Sequence, residues 1–299
     1  MPFNIARLVD KYNLDDDEKK VVESLVIDES QREQISQYEQ RSEEWQAARV
    51  KLLTASLFGA ARGHCEYTSR LQLLRNMLWR DFKGNIATEW GTKHEAEAVD
   101  LYIRFQRKNL GLRDDQFTVT HTGLQVSLEH PWIGVSVDGQ VFDDSQPDGR
   151  KHGLLEIKCP FGKKLYPFIP SQYYDQIQGM MGFLNLPWTD FVVWTPTQTQ
   201  IRRFNFDKIY FEQELFPRLE QFYFTEFLPR LVKKDKGLIV APYIDPIIEI
   251  KIDDDDGDTP FVMPSITATA VQEETPPESS RKQVTVDKFG HCAISTLLS

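Results

Sequence analysis

Asp138, Glu156 and Lys158 are the residues whose types and spacing best suit them to chemistry. Asp138 lies in "GVSVDGQV"; Glu156 and Lys158 lie in "GLLEIKCP", where an acid and a base interrupt an apolar run two residues apart. Burying charge is costly unless it is paired, hydrogen-bonded or bound to metal. Side chains alternate along an extended strand, so Ser136 and Asp138 share one face, opposite Val135, Val137 and Gly139. Glu156 and Lys158 likewise share a face of the next strand. If the two strands pair, the three functional side chains converge. Two carboxylates and a backbone carbonyl then make a hard-oxygen site suited to Mg²⁺ or Mn²⁺. Such an ion offsets carboxylate repulsion, polarises a phosphate and lowers the pKa of a bound water. Lys158 is placed to steady the attacking water or the phosphoryl charge. An edge-strand ion pair beside a surface aspartate is the plainer explanation of such a triplet. The apolar flanks, and the glycine that follows Asp138, weigh against it.

The elements that must position these residues are legible from periodicity. "DDDEKKVVESLVIDESQREQISQYEQ" reads as a polar helix. "RSEEWQAAR" opens another, with Ser42 as N-cap and glutamates in its first turn. "TSRLQLLRNMLW" and "WGTKHEAEAVDLYIRFQRK" show helical spacing, the latter with Ala98, Leu101, Tyr102 and Phe105 on one side. "FTVTHTGLQVS", "WIGVSVDGQVF" and "GLLEIKC" read as three successive strands. "SQYYDQIQGMMGFLNL" reads as a helix, "DFVVWTP" and "TQIRRFNF" as strands, and "FEQELFPRLEQFYFTEFLPRLV" as a helix in whose first turns Pro217 sits or makes a bend.

This pattern predicts an α/β domain over 41–235, preceded by an acidic helical appendage (1–40). A connecting segment (236–251) and an acidic, Pro/Ser/Thr-rich tail (252–299) follow. The composition of about 252–290 predicts mobility, whereas "FGHCAISTLLS" is apolar enough to dock.

The formal net charge of −10 is uneven: −5 over 1–40, −6 over 236–299 and +1 over 41–235. A basic groove in the centre is therefore compatible with the acidic total. No run approaches the roughly 18 apolar residues of a membrane span. The N-terminus lacks an apolar signal core, and three scattered cysteines make neither a disulfide framework nor a zinc or iron–sulfur cluster. A reducing, intracellular compartment fits, which would be the cytoplasm or nucleus of a host cell if the source were viral. His94, His121, His130 and His152 are spaced poorly for a metal site, and surface or turn positions are expected for them.

Five blocks in order resemble a known family. "WQAARVKLLTAS", "WGTKHEAEA", "GVSVDG", "LLEIKCP" and "YYDQIQGMM" look like the PD-(D/E)XK nuclease core, in the branch of YqaJ-type viral recombinases and lambda-type exonucleases. The resemblance covers about residues 41–180 and implies a restriction-endonuclease-like core: a mixed central sheet flanked by helices, with extra N-terminal helices. It implies Asp138, Glu156 and the Ile157 carbonyl as metal ligands and Lys158 as the catalytic lysine. Glu95 would hold a second metal or orient water, and Gln176 would orient the nucleophile or touch the scissile strand. Arg49 and Ser56 would hold a terminal or backbone phosphate, with Thr54 an N-cap beside them and Tyr173 a weaker DNA contact. Trp45 is expected to pack beneath the site. Cys159 would be a buried thiol, and Lys163, Lys164, Arg202 and Arg203 would border a DNA groove or simply face solvent.

The activity so implied is a deoxyribonuclease using one or two Mg²⁺ ions, with Mn²⁺ as substitute. It would resect duplex DNA 5′ to 3′ from 5′-phosphorylated ends, for recombination or repair. By family analogy it would hand the strand to an annealing protein, and the source would be a DNA virus or mobile element. A homo-oligomer, a ring-shaped trimer included, is within the family's range. An endonuclease or RNA-cutting alkaline-nuclease-like enzyme of the same fold remains open, as does an idle DNA-binding scaffold.

Overall fold

The computed structural model describes residues 3–79, 84–162 and 165–241, with the backbone of Lys282–Val286 and Cys292–Thr296. Three short helices open the chain: α1 (Ile5–Tyr12), α2 (Asp16–Glu23) and α3 (Glu29–Ser36). One polar helix was expected across the last two. Asp28 ends that expectation, because its side chain caps the N–H of Gln31 and starts a new helix. Then come α4 (Glu43–Ala48), capped by Ser42 as predicted, and β1 (Leu53–Thr54). A tight turn leads into α5 (Phe58–Arg62), followed by α6 (Arg70–Trp79) and the long α7 (Ile86–Leu110).

Two of the expected strands are each divided between two sheets. "FTVTHTGLQVS" gives β2 (Phe117–Thr120) and β3 (Gln125–Val126); "WIGVSVDGQVF" gives β4 (Ile133–Val135) and β5 (Gly139–Asp143). Then β6 (His152–Lys158), α8 (Ser171–Leu184), β7 (Trp188–Trp194) and β8 (Thr199–Asn205) follow. The small sheet has the order β1-β4-β3 and the main one β2-β5-β6-β7-β8. In the main sheet β6 and β7 are parallel and the other neighbours antiparallel. A parallel pair needs a crossover, and α8 supplies it. The sheet is mixed and helix-flanked, as expected.

The segment 210–235 is helical throughout. Wide i→i+5 turns at 210–215 and 222–227 precede α9 (Phe216–Gln221) and α10 (Leu228–Asp235), whose second residues are Pro217 and Pro229. Both prolines thus lie inside one continuous helical run, each just after a wide turn, where the regular i→i−4 pattern that a proline cannot join is already interrupted. Lys282–Val286 (β9) and Cys292–Thr296 (β10) form an antiparallel ladder. The rest of the predicted tail, 242–251 of the connecting segment, and Lys163 and Lys164 lie outside the described residues.

The core divides at β6. Leu154 joins Ile177, Met180, Phe191 and the aromatics of 210–235 on the α8 face, whereas Leu155 and Ile157 join Ala98, Val99 and Tyr102 on the α7 face. Glu156 and Lys158 alternate with the latter and so face α8. Gly153 is dictated by packing, since a Cβ there would lie 2.3 Å from the Trp188 ring.

The N-terminal helices are tied into the domain. Leu8, Leu14 and Val22 join the main core, and Arg7, Lys11 and Tyr12 bond the buried carboxylate of Glu220 on α9. At the other end of this arm, the Gly123 N–H donates to the Ser36 carbonyl at 2.9 Å. Gln40 Nε2 donates to the Val137 carbonyl at 3.0 Å.

Candidate active site

The ladder between β5 and β6 ends where the chemistry-bearing residues begin. Gly139 pairs with Leu155, so continuing the antiparallel register sets Asp138 opposite Glu156. The expected convergence is present, but an edge makes it rather than a shared face alone. Asp138 Oδ2 turns along the sheet and accepts the Ile157 N–H at 2.6 Å. A strand residue's N–H and C=O leave the same edge, so the Ile157 carbonyl is also on the Asp138 side. Gly139, at the start of the ladder, is dictated by packing, since a Cβ there would lie 2.4 Å from Val119 Cγ1.

Glu156 is buried, with 3% of its surface exposed. Its Oε1 accepts from Lys158 Nζ at 2.6 Å and from Gln176 Nε2 at 2.7 Å, and Gln176 Oε1 accepts from the same lysine at 3.1 Å. Gln176 lies on α8, which the parallel crossover lays over this face. Tyr173, one turn earlier, places its ring 4.7 Å from Lys158 Nζ and packs against Tyr166 and Phe191. The structure thus puts Tyr173 beneath the lysine.

Charge accumulates around Asp138. Burial pushes its carboxyl well above the usual range, and the charges of Glu156 and Glu95 push further, against Lys158 and the Ile157 N–H. Burial alone would lower the Lys158 pKa, but Glu156 above all holds it above the ordinary lysine value. Cys159, half-buried, is raised to about 12 by burial and then by Glu95 and Asp138. Glu95 comes from α7, on the opposite face of the sheet, and its Oε2 accepts from Arg41 Nη2 at 2.8 Å. Among the described residues, no three of the Asp, Glu, His and Cys side chains are grouped closely enough to enclose an ion.

A second group adjoins the first through β4. Trp45 is buried, as expected, and its indole N–H donates to Ser136 Oγ at 3.3 Å, two residues before Asp138. The Arg49 guanidinium lies 4.0 Å over the Trp45 ring and donates to Thr54 Oγ1 at 2.9 Å. Thr54 occupies the residue before the 55–57 turn but does not cap it through its side chain, because its hydroxyl is taken by Arg49. Ser56 is exposed on that turn.

Other expected positions are corrected by the packing. Arg203 does not border a groove through a free guanidinium: it pairs with the buried Asp190 and Asp143 and stacks 3.6 Å over Trp188. Arg202 donates to the Tyr166 and Pro167 carbonyls. His94 is enclosed by Trp90 and Trp194, and His130 by Phe183, Phe216 and Trp132, so neither is a simple surface histidine. His121 and His152 are exposed. Arg41 is the residue that sequence reasoning missed. Its partner is 54 positions away, and the only local signal is its place just before the Ser42 cap.

Comparison with known proteins agrees with the motifs. Residues 44–186 match the family model of the YqaJ-like viral recombinase domain. Among solved structures, the chain is similar to an alkaline exonuclease, LHK-Exo, from Laribacter hongkongensis. That match has 25% identity over 66% of this chain and 100% of that one, with a TM-score of 0.49. A phage-related exonuclease from Haemophilus somnus 129PT is similar at 16% identity over 62% of this chain and 96% of that one, with a TM-score of 0.41. No curated protein matches. The stretch that carries Glu95, Asp138, Glu156, Lys158 and Gln176 is thus the part of the chain that matches the YqaJ-like viral recombinase domain.

Proposed function

We propose that the chain is a divalent-metal-dependent deoxyribonuclease that resects duplex DNA from 5′-phosphorylated ends. The observation that carries this reading is the meeting of Asp138 and Glu156 at the end of the β5–β6 ladder, with Lys158 and Gln176 bonded to Glu156. The donor set suits Mg²⁺ or Mn²⁺: hard carboxylate oxygens, a main-chain carbonyl on the same edge, and a carboxyl whose pKa is raised by burial and then by the neighbouring carboxylates. Asp138, Glu156 and the Ile157 carbonyl would hold the ion, and Glu95 would join them when released by Arg41. When bound, the ion supplies neutralising charge and a lowered pKa for water.

The chain's own residues do the rest. Lys158 keeps its proton because Glu156 stabilises the ammonium, so it acts on developing phosphoryl charge rather than as a base. Gln176 fixes Glu156 and Lys158 relative to each other and presents its amide to the attacking water or the scissile strand. Arg49 and Ser56 would take the terminal phosphate, the guanidinium fork being suited to a dianion. Family analogy adds an annealing protein that receives the exposed strand, and a homo-oligomer. Among the described residues no helix is long and apolar enough to cross a membrane.

Linear, nicked and closed circular duplexes incubated with and without Mg²⁺ test the reading. Linear ends should be degraded only with the ion, and 5′-phosphorylated ends faster than 5′-hydroxyl ones. Cutting of closed circles would indicate an endonuclease instead. Full activity in Asp138→Ala would overturn the site assignment.

A further inference from the structure

Arg41 is one of three non-glycine residues with left-handed backbone among those described, at φ 74°. The other two, Asn13 and Asn185, are asparagines at helix C-caps, where that conformation is ordinary. An arginine pays a steric cost there, and such a residue persists only when its surroundings over-determine it. They do. On one side Gln40 Nε2 donates to the Val137 and Thr122 carbonyls at 3.0 and 3.3 Å. On the other, Gln46 Nε2 donates to the Arg41 carbonyl at 3.1 Å, and the Ser42 N–H to the Glu39 carbonyl at 3.1 Å.

The strained turn secures the guanidinium on Glu95, at 2.8 Å. One two-residue stretch therefore grips both sources of acid: Gln40 holds the chain next to Asp138, and Arg41 holds the carboxylate of α7. We propose that Arg41 is a positioning residue that competes with a divalent cation for Glu95 and thereby sets the cluster's affinity for that cation. This inference rests on the metal-dependent reading of the site. A carboxylate already neutralised by a guanidinium is a poorer ligand than a free one, and the half-exposed arginine can swing to solvent when displaced.

The test is isothermal titration with Mn²⁺ in the absence of DNA, comparing the intact protein with Arg41→Ala, Arg41→Gly and Arg41→Lys. Removing the guanidinium should tighten the Kd by about threefold to tenfold, in line with a part-exposed ion pair. Arg41→Lys should lie nearer the wild-type value. A merely structural role predicts weaker binding on truncation, so the sign is diagnostic. Arg41→Gly also relieves the backbone strain that Arg41→Ala keeps, so agreement between the two assigns the effect to the lost charge. Wild-type binding with an unchanged or weakened affinity in both truncations would overturn this inference alone. If the wild type binds no Mn²⁺, the metal reading falls, and this inference with it.

Discussion

Asp138 stands opposite Glu156 where the β5–β6 ladder stops, and its carboxylate takes the main-chain N–H of Ile157, the residue between the acid and the lysine. A side chain thus replaces the next rung of the sheet. On the proposed metal-dependent reading the carboxylate is structural and chemical at once, and its substitutions should have opposite effects on stability and activity.

Asp138→Asn keeps an oxygen for the Ile157 N–H and removes a charge that burial and two neighbouring carboxylates disfavour. In EDTA the variant should be more stable than the wild type at neutral pH, because the folded state disfavours the charge that it removes. Its Mg²⁺-dependent cleavage should fall by about a thousandfold or more. Denaturant melts and a cleavage assay on the same preparation check both signs.

Lys158→Met leaves Glu156 buried without its cation and should cost about 3 kcal/mol, together with a cleavage loss of about 10²–10³. Gln176→Leu removes an amide bonded to both partners but leaves their ion pair, so its stability cost should be nearer 1–2 kcal/mol. Melts and single-turnover rates should rank the two in that order.

Arg203 neutralises Asp190 and Asp143, both essentially buried. Arg203→Ala should destabilise by about 3 kcal/mol, with the salt dependence of DNA binding unchanged. A shallower salt slope, by about one counterion, would restore it as a phosphate contact.

His130 is held neutral chiefly by burial among aromatic rings, which lowers its pKa, although Glu129 and Glu220 pull the other way. A histidine with a depressed folded pKa binds fewer protons folded than unfolded. Stability is therefore lost as pH falls from about 6.5 toward the folded value. Thermal melts at pH 7.5 and 5.5 should show a smaller drop for His130→Phe than for the wild type.

The sequence made the centre of the site legible because its signals are local. Glu156 and Lys158 alternate within one strand, Gln176 lies on the next helix, and each motif is contiguous. Alternation even survived where the strand assignment did not: Ser136 and Asp138 are less buried than Val135, Val137 and Gly139, although the chain changes sheets between them. What was hidden depended on distant contacts. Nothing near Arg203 announces Asp143 and Asp190, and nothing near Thr54 says that Arg49 will take the hydroxyl its turn could use. The split of the N-terminal segment was readable from Asp28 and Gln31, a capping pair in plain view.

Glu220 carries one more consequence. Its buried carboxylate is matched by Arg7 and Lys11, and Leu8, Leu14 and Val22 fill the surface around the same junction. A fragment trimmed to 41–235 would keep the acid and lose both cations, and would turn a seam of the interior into a sticky exposed patch. Such a truncation is expected to aggregate when expressed. A fragment of minimal length would have to begin before α1, or carry Glu220→Gln with polar replacements along the bared surface.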